Sequence, residues 1–94
     1  MPHSLTQALK DGLKDAADPA KAPAMQAYMK SEMPFLGVQA PQQKAVLKQA
    51  LAAHPLENPG DFRVVMAELW DGATYREERY AAIAVAGQKR CREW

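Results

Sequence analysis

The chain has 94 residues, 48% hydrophobic and 24% charged, with a formal net charge of +1. That is one small domain with an adequate core, too apolar for a disordered chain and too near neutral for charge alone to call for a nucleic-acid or membrane partner. The single cysteine, Cys91, excludes an internal disulfide and fits a reducing compartment. With no apolar run long enough to span a membrane and no signal-peptide layout, the chain is expected to be cytoplasmic.

Ser4 and Gln7 have capping-box spacing, which predicts a helix from Ser4, as N-cap, to about Ala17. Leu5, Ala8, Leu9, Gly12, Leu13 and Ala16 recur at helical spacing on its inner face. Gly12 weakens the helix by about 1 kcal/mol relative to alanine but permits close packing. Asp18-Pro19 is a second start signal, while Pro23 either breaks a helix begun there or begins the real one. The helix is placed at Pro19 to Ser31, with Met25, Met29 and Tyr28 as its inward candidates.

Tyr28 to Pro41 reads YMKSEMPFLGVQAP, an apolar elbow. Proline has no N–H to donate and biases its predecessor away from the helical region, so the helix stops near Pro34. Gly37 permits a turn that a Cβ would resist, and Pro41 suits the first turn of a new helix. Phe35, Leu36, Gly37 and Val38 are therefore expected to be buried.

The next helix runs from Pro41 to about His54, with Leu47, Ala50, Leu51 and His54 on one stripe and Lys44 and Lys48 at its edge. Asn58-Pro59-Gly60-Asp61 combines an N-cap, a first-turn proline and an acid beside the positive end of the helix dipole. Phe62, Val65, Met66, Leu69 and Trp70 follow at i, i+3, i+4, i+7 and i+8, a clean amphipathic pattern. Gly72 is a plausible C-terminal cap. Thr74 to Glu77 is another capping box, opening a last helix through about Arg92 with Tyr80, Ile83, Ala84 and Gly87 inward and Cys91 continuing the line.

No stretch alternates with a two-residue period, so the fold is all-α: about five helices forming antiparallel hairpins in a single domain over residues 1–94. The pair from Asn58 to Arg92 has the size of one two-helix solenoid repeat. The last helix carries Ala82 and Val85 as well as Ile83 and Ala84, and the basic residues Lys89, Arg90 and Arg92 follow. A terminal solenoid helix needs a polar outer face. The chain is therefore expected to be the N-terminal part of a longer solenoid, its bare face covered by further repeats or by another copy of itself.

Catalytic and metal signals are weak. His3 and His54 are far apart with no acid or cysteine at ligand spacing, no serine has a histidine and acid around it, and no glycine-rich loop offers a phosphate cradle. No metal, cofactor or catalytic residue is assigned. Glu77 and Glu78 fall on different helix sides, which argues against an acid/base pair. Cys91 is expected to be a buried structural thiol, and Trp70 to belong to the core.

The elbow string itself is more specific. Tyr28-Met29-Lys30, Phe35-Leu36-Gly37-Val38 and Pro41, then Glu68-Leu69-Trp70-Asp71, Arg76-Glu77 and Ala81-Ala82, resemble DNA alkylation repair enzymes of the AlkD type over essentially the whole chain. The resemblance implies a HEAT-like solenoid whose concave face holds duplex DNA. It also implies a full-length glycosylase that hydrolyses the N-glycosidic bond of alkylated purines. The family's functional aspartate lies in a later tryptophan-rich segment that this sequence does not contain, so this piece is expected not to be catalytic alone.

Carried over position by position, Tyr28 offers its hydroxyl, Gln39 its amide and Lys44 its ammonium to phosphates. Where the family has two arginines after Pro41, this chain has Gln42-Gln43-Lys44, which lowers the expected backbone affinity. Lys89, Arg90 and Arg92 form a second basic patch. The reading is a DNA-clamping segment of a repair glycosylase whose partner is double-stranded DNA. The alternative is a non-enzymatic helical-repeat module that self-associates through its apolar edge.

Overall fold

A computed structural model describes residues 3–30, 33–88 and 91. The described residues form five helices and no strand: α1 (Ser4–Asp15), α2 (Ala22–Tyr28), α3 (Ala40–Ala53), α4 (Pro59–Trp70) and α5 (Arg76–Ala86). The all-α expectation is met.

Helix α1 is the hub, packing against α3, α4 and α5, and α4 and α5 pack on each other across a short turn. Leu5 and Leu9 of α1 enter one core cluster with Ala50, Leu56, Val65, Leu69, Ala82, Val85 and Cys91. Leu13, Val38 and Ala81 form a second cluster at the elbow end. Helices α1 and α3 approach closely because Gly12 has no side chain: a Cβ there would lie 2.7 Å from Val46 Cγ1.

Three helix starts differ from the sequence reading. The N-cap of α1 is His3, not Ser4, with its Nδ1 accepting from the Leu5 N–H at 3.1 Å. Tertiary contacts shift the frame, because the Glu68 carboxylate accepts from the His3 N–H at 3.0 Å and from the Thr6 hydroxyl at 2.9 Å. In the second helix, Pro23 begins the real element. Asp18 and the residues after it form a turn, and α2 starts at Ala22 with proline in its first turn.

The last helix begins after Tyr75, not Thr74. Its capping contact comes from Glu78, whose Oε2 accepts from the Thr74 N–H at 3.3 Å, and so Glu77 is released for another partner. That one-residue change rotates the expected stripe. Glu77, Glu78, Ala81, Ala82 and Val85 are buried, while Ile83 is 60% exposed. Ala82 and Val85, read as part of a bare face, are core residues. The helix ends at Ala86; Lys89, Arg90 and Arg92 lie outside the described residues.

Two other packing expectations fail. Trp70 is 43% exposed, with the Arg79 guanidinium 4.9 Å from its ring centroid and not a core neighbour over that face. Helix α2 has no buried residue: Met25 is half-buried, and Tyr28 and Met29 are exposed. With seven residues, α2 is too short to offer the repeated apolar stripe that fixes longer helices. The helix from Asn58 behaves as read, Asn58 Oδ1 accepting from the Asp61 N–H at 2.8 Å.

Candidate nucleic-acid interface at the elbow

The elbow is fixed from two directions. Gly37 adopts φ +89°, and a Cβ there would lie 2.0 Å from the Asp18 carbonyl oxygen, so only glycine fits. The adjacent Leu36 carbonyl accepts from the Asp18 N–H at 3.1 Å, tying the elbow to the turn before α2. Phe35, Gly37 and Val38 are buried and Leu36 is half-buried, close to what the sequence predicts.

From the other side comes Glu77, in the first turn of α5. Its Oε1 accepts from the Leu36 N–H at 2.9 Å, and its Oε2 accepts from the Gly37 and Val38 N–H groups at 2.9 and 3.0 Å. The residue is completely buried. A buried carboxylate is costly unless its oxygens are satisfied; here three aligned backbone donors surround the charge, and the positive end of α5 lies beside it. The Arg76 N–H adds a bond to the Pro34 carbonyl at 2.9 Å. Phe35 meets Tyr80 edge to face at a centroid distance of 6.1 Å.

Glu78 points elsewhere. Its Oε2 lies 3.7 Å from Lys10 Nζ on α1, besides capping Thr74. The two adjacent glutamates thus serve separate backbone and cation partners and do not converge on a substrate space.

The sequence-predicted contact residues lie around this corner. Gln39 is the N-cap of α3, and its Oε1 accepts from Lys21 Nζ at 3.3 Å. The Gln39 side chain makes no capping bond to α3, and so among the described residues the N–H groups of Ala40 and Gln42 are open to an acceptor, Pro41 between them having none. Lys44 is exposed one turn further on. Tyr28 ends α2 and is 86% exposed. Tyr28 lines an open cleft of about 500 Å³ with Met25, Phe35, Gln43 and Tyr80, whereas Lys44 lines a neighbouring cavity of about 190 Å³. Gln43 and Tyr80 line both. The three residues thus flank one corner without converging on one pocket.

Two participants escaped the sequence reading. Lys21 lies on the turn before α2, 3.8 Å from Asp18 Oδ2 as well as beside Gln39; its i, i+3 spacing from Asp18 was the available signal. Gln43 donates its Nε2 to the Val38 carbonyl at 2.8 Å, fastening α3 to the elbow. Among the described residues no group of three His, Cys, Asp or Glu side chains could hold a metal ion, and no helix is long and apolar enough to cross a membrane.

A helical protein with a glutamate-pinned elbow, whose polar and basic groups surround one uncapped helix start, is the class the geometry defines. The family model described as DNA alkylation repair enzyme matches residues 9–93. The chain belongs to that family, which gives it a role in DNA repair. No curated protein matches the chain.

Proposed function

We propose that this chain is the N-terminal, DNA-clamping part of a HEAT-like glycosylase that removes alkylated purine bases, acting in the cytoplasm and contributing no catalytic group of its own. The observation that carries the reading is the start of α3. An uncapped helix N-terminus attracts anions through its free N–H groups and its dipole. Here Gln39, Lys21 and Lys44 surround that end with polar and basic groups, and Tyr28 stands beside it. Phosphates of duplex DNA are the ligand that this family's role supplies. Such contacts position a duplex and carry no base sequence.

The test is binding of the chain to duplex DNA across a salt series, with and without an alkylated-base mimic. Log affinity should fall linearly with log salt, by about 0.9 per phosphate neutralised. Lys44→Ala and Lys21→Ala should each flatten that slope by about one. Absence of binding at low salt would remove the clamp reading.

A second reading, self-association, is favoured by a different observation: Val64, Trp70 and Ile83 are large apolar residues left exposed on α4 and α5.

A further inference from the structure

The outer face of α4 presents Arg63, Val64, Ala67, Trp70 and Asp71 to solvent, opposite the core residues Val65 and Leu69. Along the helix the order is base, apolar, small, apolar, acid. It is symmetric about Ala67: Val64 and Trp70 stand three residues to either side, and Arg63 and Asp71 four. Among the described residues the Arg63 and Asp71 side chains join no ion pair or hydrogen bond.

We propose that this face is a dimer interface, occupied by α4 of a second copy of this chain lying antiparallel, with the twofold axis at Ala67. In an isologous contact, residue i meets j while j meets i. The antiparallel arrangement therefore sets Arg63 against Asp71 of the partner subunit twice and Val64 against Trp70 of the partner subunit twice. Ala67 meets its own copy, where a methyl group lets the backbones come close. A parallel arrangement would place Arg63 beside Arg63 and Asp71 beside Asp71, and the like charges reject it.

Neighbouring α5 extends the patch. Arg79 covers one face of Trp70 and donates its Nε–H to the Trp70 carbonyl at 3.3 Å, holding the indole in place. Ile83, one turn beyond Arg79 on α5, is a further large apolar residue left exposed. Contiguous exposed apolar surface rimmed by charge is characteristic of association sites. The dimer face and the elbow use different residues, and so each stands or falls without the other.

Sedimentation equilibrium of the 94-residue chain at rising concentration should show a monomer–dimer equilibrium. Ala67→Glu puts two carboxylates together on the axis and should weaken the dimer at least about 100-fold. Arg63→Asp should weaken it about tenfold or more, since both copies of the charge pair become repulsive. Adding Asp71→Arg to that variant should restore the dissociation constant to within about threefold of the parent. All three sites are exposed, and circular dichroism should show each variant folded as the parent. A chain that stays monomeric at millimolar concentration overturns the proposal, as does a dimer indifferent to Ala67→Glu. Failure of the double charge reversal to restore association overturns the antiparallel register.

Discussion

Glu77 and Gly37 lie 40 residues apart and are joined by a buried bond of 2.9 Å, the carboxylate Oε2 accepting from the glycine N–H. Gly37 has a left-handed backbone, as does Lys30 at the start of the elbow. This conformation helps to place three consecutive N–H groups, from Leu36 to Val38, around one carboxylate. The strained turn and the buried charge therefore stabilise each other.

Glu77→Ala should be among the most destabilising single changes in the chain. It leaves three donors without an acceptor, two of them buried and one half-buried, at roughly 1–3 kcal/mol for each buried one before relaxation, so a net loss of at least about 3 kcal/mol is expected. Glu77→Gln keeps the shape but turns an NH₂ group toward backbone donors, and should cost about 2 kcal/mol. Urea denaturation measures both, and an alanine variant with the parent's midpoint would remove this account of the elbow.

Gly37→Ala should lower stability by more than about 2 kcal/mol, because a positive φ and a backbone clash act together. The new Cβ would lie 2.0 Å from the Asp18 carbonyl oxygen, which cannot move without breaking the turn before α2. Thermal unfolding should show the loss, and a DNA-binding elbow should lose affinity with it.

Gly12 and Val46 should be energetically coupled. Alanine at position 12 gains about 1 kcal/mol of helix propensity but meets Val46 Cγ1 at 2.7 Å. In a Val46→Ala background the clash is gone, and Gly12→Ala should become more favourable by at least about 0.5 kcal/mol than in the parent. A double-mutant cycle with no coupling would mean that α1 and α3 pack less closely than described.

Leu69 and Trp70 are neighbours with opposite roles. Leu69→Ala, within the core, should cost about 3 kcal/mol. Trp70→Ala, on the outer face, should cost about 1 kcal/mol despite the larger side chain, mostly through the lost Arg79 stacking. Denaturation midpoints that reverse this order would place the indole inside.

Local chemistry made much of this legible. The proline and asparagine signals fixed where α3 and α4 begin, because a cap or a missing N–H acts within one turn. The elbow was readable because proline, glycine and a tight apolar cluster leave the backbone few alternatives. The rotation of α5 was not. Thr74 can be paired with either Glu77 or Glu78 on spacing, and the choice depended on whether a carboxylate was needed by an elbow 40 residues away.

The residues around the start of α3 show the same division. Tyr28, Gln39 and Lys44 follow from the resemblance, whereas the bonds of Lys21 to Gln39 and of Gln43 to the Val38 carbonyl exist only when α2, the elbow and α3 are folded together. The sequence by itself determined the helical class, several of the helix boundaries and the glycine at the elbow, since these follow from propensities acting within a few residues. Tertiary structure alone decided which glutamate is buried, that Trp70 faces water, and which groups crowd one helix end. Those outcomes depend on contacts between segments far apart in the chain, whose register no local pattern encodes.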